Sequence, residues 1–155
     1  MAKQPGKSLL LNQFVPYLMA NLSKRISDSC ATIYEGEFNL SISEWRILAR
    51  LAESERHNSR TLGEITFMDK SKVSRAVKLL DEKGYLLREK DGADNRVTYL
   101  SLSAAGHKLY RQIAPEALAW EAKLLQALDI AEYRDLLRII GKLDQRLDEF
   151  EEQPQ

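Results

Sequence analysis

Ser71, Ser74, Arg75 and Lys78 bring together side chains that bond phosphate oxygens and base edges. A guanidinium can bond two acceptors on a guanine edge, a lysine neutralises phosphate, and short serines permit close approach to a groove. At roughly 100° per residue, these four residues cluster on one side of a helical wheel. Val73, Ala76, Val77 and Leu80 cluster almost opposite. One side is therefore for packing, and the other is free to contact a partner. Such a face alone is more often that of a solvated amphipathic helix. The segment after the helix strengthens the DNA reading. There, two strand-like runs flank Lys90-Asp-Gly-Ala-Asp-Asn-Arg96, a charged tip able to reach a neighbouring groove or the phosphates.

The elements that must hold these residues are legible from caps and periodicity. Asp69 is a good N-cap for the helix carrying Arg75, and Gly84 after Lys83 is a helix stop. Before it, Ser41-Ile-Ser-Glu44 has the form of a capping box and predicts a helix to about Glu53, with Trp45, Leu48 and Leu51 facing inward. Ser59 is expected to cap a short helix containing Leu62 and Ile65. Two short helices around a tight connection form a helix-turn-helix pattern. Tyr85 to Glu89 and Val97 to Leu102 read as strands, with Asp91-Gly92 as the turn signal between them.

Longer helices flank this central part. Residues 1 to 7 are polar and expected to lack fixed structure. From about Leu9 to Tyr34, Leu11, Val15, Leu18, Leu22 and Ile26 recur at helical steps, with Pro16 demanding either a start or a kink nearby and Gly36 as the expected stop. Ser103 is expected to cap a helix to about Ala127, and Asp129 with Glu132 to open a last one to about Glu152. In that helix Leu136, Ile140, Leu143, Leu147 and Phe150 alternate steps of four and three, a coiled-coil type seam.

The 155 residues are 44% hydrophobic and 30% charged, as suits a folded, helix-rich protein rather than a disordered one. Net charge is zero, but residues 1 to 115 carry 18 Lys/Arg against 13 Asp/Glu, and residues 116 to 155 carry 5 against 10. The local excess, +5 in the first part, sets the field that a phosphate meets. No apolar run approaches a membrane span, and Leu9 to Leu11 is too short for a signal-peptide core, so a cytoplasmic protein with no membrane partner is expected. A single cysteine, Cys30, excludes an internal disulfide framework. No phosphate-binding glycine loop is present, and His57, His107 and Cys30 form no defensible metal-ligand pattern. No catalytic residue, metal site or cofactor is expected.

Several of these pieces resemble the MarR family of bacterial transcriptional regulators. They are Ser43-Glu-Trp-Arg-Ile-Leu48, Asp69-Lys-Ser-Lys-Val-Ser-Arg75, Leu80-Asp-Glu-Lys-Gly84, Asp94-Asn-Arg96 and Leu100-Ser-Leu-Ser-Ala-Ala-Gly106. The Asp-x-Arg wing followed by Leu-Ser-x-x-Gly is the most specific, and the likeness spans nearly the whole chain. The resemblance implies a mainly α fold with a small β-hairpin wing (α+β): a winged helix-turn-helix lobe and a helical dimerisation lobe within a triangular homodimer. It divides the chain into a dimerisation arm and helix (1–36), a DNA-binding lobe (37–102) and C-terminal dimerisation helices (103–155).

Carried over by residue, the resemblance implies that Ser71, Lys72, Ser74, Arg75 and Lys78 face the major groove and that Arg96 sits in a wing contacting the minor groove; Lys90, at the charged hairpin tip, is a further candidate DNA contact. Asp94 would hold Arg96 rather than touch DNA, because phosphate repels it. The implied partners are a palindromic DNA operator, a second copy of the chain and a small aromatic, phenolic or anionic effector that releases DNA. The effector region would include Trp45, with Tyr17, Tyr34, Phe38, Arg46 and Tyr110 as candidate linings. Core and interface packing is the simpler reading of these aromatics, so no ligand residue is assigned. The implied function is a sequence-specific DNA-binding regulator of the repressor type. Alternatives are an oxidant-sensing regulator using Cys30 and a winged-helix protein-interaction module.

Overall fold

Phe14 leads into α1 (Val15–Glu35) in extended conformation, just after a single 3-10 turn at Leu11–Gln13. Pro16 therefore sits in the first turn, where its missing N–H leaves no bond unmade, and the helix is not kinked by it. The computed structural model describes residues 8–153, so the expectation for residues 1 to 7 lies outside the described residues. The chain forms two compact units, Met1–Glu116 and Ala117–Gln155.

In the first unit, α2 (Ile42–Glu53), α3 (Ser59–Thr66) and α4 (Lys70–Glu82) follow α1. The predicted capping box of α2 is present in full: Glu44 N–H donates to Ser41 Oγ, and Ser41 N–H donates to Glu44 Oε1, both at 3.1 Å. α1 ends at Gly36, but this glycine is right-handed; Asn39 supplies the left-handed residue of the connection instead. The cap of α3 also differs from expectation. Asn58, not Ser59, accepts the Thr61 N–H, at 2.8 Å, and Ser59 is the first helical residue.

Asn58 is already fixed because it pairs with Tyr99. His57–Asn58 is a short strand, β1, that the sequence did not reveal, since two residues show no alternation. The sheet has the order β1-β3-β2, all antiparallel, with β2 at Leu86–Lys90 and β3 at Thr98–Leu102. Leu86 faces Leu102 and Arg88 faces Leu100 in the β2–β3 register.

Between α4 and β2 the chain makes a Schellman turn. Gly84 N–H reaches Asp81 O at 2.9 Å and Tyr85 N–H reaches Leu80 O at 3.0 Å, with Gly84 at φ +80°. This turn occupies Tyr85, which is why the strand starts one residue later than the sequence suggested. α5 (Ala104–Leu125) begins where Ser103 Oγ accepts the Gly106 N–H. Ser103 also donates its N–H to Tyr85 O and its hydroxyl to Gly84 O, so one residue caps α5 and ties it to the turn after α4. A Cβ on Gly106 would lie 2.3 Å from Tyr85 O, so only glycine lets the helix approach this closely.

The core of this unit is one cluster in which Ile47, Leu48 and Leu51 of α2 meet Leu62, Val73, Ala76, Val77, Leu80, Leu100 and Ile113. α4 thus buries the side the wheel assigned to packing, and its other side is exposed.

In the second unit, α5 ends at Leu125 rather than near Ala127, and α6 (Ile130–Glu152) comes next. Asp129 and Glu132 form the second capping box, with N–H to carboxylate distances of 2.8 and 2.9 Å. Leu136, Ile140, Leu143, Leu147 and Phe150 are all exposed on the isolated chain. No helix among the described residues is long and apolar enough to cross a membrane.

Candidate nucleic-acid interface

Asp69 fixes the start of α4 by accepting the Lys72 N–H at 2.8 Å. From there every sequence-predicted position on the helix, Ser71, Lys72, Ser74, Arg75 and Lys78, is exposed, while Val73, Ala76, Val77 and Leu80 are buried. The side chain of Lys78 lies 3.9 Å from Glu82; Arg75 makes no ion pair with any described residue. Cations and hydroxyls interleaved along this face, with one charge partly offset, form a surface suited to acceptor-rich groups.

The wing loop follows Lys90 and spans the charged tip expected between the two strands. Gly92 has no positive φ, and the loop runs on to Val97. It is closed by Asp91 N–H to Val97 O at 2.9 Å and Val97 N–H to Asp94 O at 3.0 Å. Two aspartates shape it from within: Asp91 accepts the Ala93 N–H and Asp94 accepts the Arg96 N–H. Both are Asx turns, which do locally what a glycine turn would do elsewhere.

Arg96 projects from this loop with its side chain 91% exposed. Its Nε and Nη2 donate to Asp94 at 3.1 and 3.3 Å, so the guanidinium is held at the loop by a carboxylate on its own turn. The Arg96 side chain, and then its backbone N–H, hold the Asp94 carboxyl below its ordinary pKa. Lys90 closes β2, opposite Thr98, and is exposed.

Further contacts brace the wing that sequence reasoning passed over. Arg56 lies 4.2 Å above the Tyr99 ring and 3.5 Å from Glu89, and Arg88 pairs with Asp81 at 2.9 Å. The first joins the residue before β1 to β2 and β3; the second joins β2 to the end of α4. No periodicity signals such pairs, because they depend on the strand register. Phe67, between α3 and α4, was also missed: it is exposed and left-handed, with φ 53°.

Of the candidate effector residues, Tyr34, Trp45 and Tyr110 stack in series, with ring centroids 5.4 and 6.0 Å apart. Tyr34 is buried, and burial above all, with the charges of Cys30 and Glu35, raises its pKa to about 12 against the opposing effect of Arg46. Phe38 is half-buried against the same core, while Tyr17 and Arg46 are exposed. A cavity of about 500 Å³ lies elsewhere, between α3 and α4, lined by residues including Arg60, Gly63, Met68, Lys70 and Ser74.

Cys30 is half-buried against the core. His57 Nε2 is 2.6 Å from Ser54 Oγ, and His107 is exposed on α5. Among the described residues no group of three or more His, Cys, Asp and Glu could hold a metal ion.

Three helices with an antiparallel wing after the third define a winged helix-turn-helix protein. Residues 38–96 match the profile of the MarR family. The chain is similar to the HTH-type transcriptional regulator SarZ of staphylococci: 27% identical over 112 residues to that of Staphylococcus aureus USA300, covering 72% of each chain. With that of Staphylococcus saprophyticus it is 31% identical over 75 residues, 48% of this chain and about half the length (51%) of that relative. A MarR/EmrR family transcriptional regulator from Acinetobacter sp. ADP1 superposes with TM-score 0.82 at 26% identity, over 91% of this chain and 99% of the other. The fold is also that of Sco3205 from Streptomyces coelicolor, a MarR family regulator solved in complex with DNA (TM-score 0.79, 21% identity, 94% and 93% covered). The chain is thus similar to MarR family transcriptional regulators, in sequence over residues 38–96 and in fold over most of its length.

Proposed function

We propose that the protein is a sequence-specific, DNA-binding repressor that acts as a homodimer and is released by a small aromatic or anionic ligand. The observation that carries the DNA reading is the division of α4: four apolar residues are buried, Ser71, Ser74, Arg75 and Lys78 are exposed opposite them, and Lys72 is exposed on the flank. Arg75 would read a guanine edge through two hydrogen bonds, with the serines and lysines on phosphates or neighbouring bases. Lys90 and Arg96 would follow the minor groove beside it, Asp94 keeping Arg96 in place.

Pairing is supported by the exposed seam of α6 and by Val15, Leu18 and Leu22 on α1. These apolar residues at helical spacing are costly in water and suit burial against a second copy. A dimer would present two α4 helices to half-sites roughly 10 bp apart. An effector would release DNA if it prefers a dimer whose helices are wrongly spaced, since a ligand shifts binding only by its preference between states.

Fluorescence anisotropy of labelled duplexes across a salt series tests the reading. Affinity should fall steeply as salt rises, as counterions are released from the contacted phosphates. Failure to bind any duplex at low ionic strength would contradict it.

A further inference from the structure

Phe67 is the residue of the DNA-binding lobe that the fold explains least. It is 92% exposed and adopts φ 53°, ψ 40°, the left-handed region. That position closes α3: the N–H groups of Phe67 and Met68 both reach Gly63 O. Glycine or asparagine takes this conformation at little cost, whereas a bulky aromatic is an outlier there. The chain thus accepts two penalties at one residue, a strained backbone and a ring left in water. Nothing in the core is gained in return.

The position supplies a reason. Phe67 lies two residues before the Asp69 cap, so its ring leaves the chain beside the first turn of α4, which carries exposed Lys70, Ser71 and Lys72. Between residues 38 and 116 the exposed large apolar side chains are Phe67 and Leu87, and Leu87 is on β2. A surface for a protein partner needs contiguous apolar area. A single ring among cations and hydroxyls suits instead one small apolar group on an otherwise polar partner. In duplex DNA the major groove offers such a group, the C5-methyl of thymine.

We propose that Phe67 is a specificity-determining DNA contact whose ring packs on a thymine C5-methyl at the end of the half-site nearest the start of α4. The inference rests on the DNA-binding reading above. Left-handed backbone at Phe67 turns the ring away from the protein, which is how a residue outside the helix adds one position to what α4 reads.

The test pairs a protein change with a DNA change. Phe67→Asn keeps a residue that tolerates the left-handed backbone and removes the ring. The wild type and the variant are each measured against a selected operator in which every thymine is replaced singly by deoxyuridine, which deletes only the methyl group. The variant should melt no lower than the wild type and bind the unmodified operator about tenfold more weakly. Wild-type binding should weaken about fourfold on deoxyuridine replacement at one position per half-site, and the variant should be indifferent there. Equal operator affinity of wild type and variant would overturn the assignment, as would a lower melting temperature. Weaker binding by the variant with no deoxyuridine-sensitive position in the wild type would place the ring on sugar rather than methyl and would overturn it too. Each of these outcomes leaves DNA binding itself standing; a wild type that binds no duplex would instead remove the reading on which the inference rests.

Discussion

Glu44 and Lys83 join the beginning of α2 to the end of α4: Lys83 Nζ donates to Glu44 Oε2 at 2.8 Å while the other oxygen of the same carboxylate accepts the Ser41 N–H. Glu44 is buried, and Lys83 donates also to Asn39 O at 2.6 Å. The carboxylate that caps one helix therefore anchors the C-terminal end of the helix bearing Arg75. Glu44→Gln removes the charge and leaves the half-buried ammonium without its carboxylate partner, with only the neutral Asn39 O in place. A loss of about 2 kcal/mol in denaturant unfolding is expected, with part recovered by adding Lys83→Met. An unchanged midpoint for the single variant would show that the pair does not hold α4.

Gly106→Ala should be among the more damaging small substitutions in the chain. Its Cβ would meet backbone, Tyr85 O at 2.3 Å, which no side-chain rotation can relieve. Overpacking of this kind costs about 1–3 kcal/mol, and the melting temperature should fall accordingly. Ala105→Gly, on the exposed side of the same turn, is the control for helix propensity alone and should cost less.

Tyr34 sets an alkaline limit on stability. Its folded pKa is raised from 10.0 to about 12, so the folded state holds a proton that the unfolded state gives up first. The stabilisation is complete below about pH 10 and is lost as pH rises towards 12. Denaturant midpoints measured across that window should fall for the wild type and fall less for Tyr34→Phe. Parallel curves for the two proteins would contradict the burial argument.

At the wing the sign is opposite. The Asp94 carboxyl is held low by the Arg96 side chain and then by the Arg96 N–H, so its contribution is present above the unfolded pKa and lost as pH falls through the folded one. In a carboxyl-carbon NMR titration, Asp94 should titrate below the ordinary value for an aspartate. Arg96→Ala should raise its midpoint part of the way, because the backbone bond remains. A midpoint unchanged by the substitution would mean that Arg96 is not held by Asp94.

Most helices of this protein were legible because they are announced locally. Ser41 with Glu44, Asp69, Gly84 and Asp129 with Glu132 act within one turn of themselves, and all cap or stop the helices expected of them. The misses are non-local. β1 exists because β3 lies beside it, and that pairing also fixes Asn58 as the cap in place of Ser59. The wing loop was legible from its charged tip, but not how it closes: the carboxylates of Asp91 and Asp94 shape it, and Gly92 is not left-handed. Among the candidate site residues, those on α4 were readable from the wheel, since burial of Val73, Ala76, Val77 and Leu80 leaves the opposite face outward. Phe67 carried no such signal, because nothing in a residue's type reveals a left-handed backbone.

Selection of bound sequences from random duplex DNA tests the central claim, that paired α4 helices read DNA through Arg75 and its neighbours. The wild type should enrich an inverted repeat with half-site centres about 10 bp apart. Arg75→Ala should bind that repeat about 1–3 kcal/mol more weakly and lose preference at one position in each half, while Arg96→Ala should weaken binding evenly across sequences. Enrichment of no sequence, or of one without two-fold symmetry, would contradict the account.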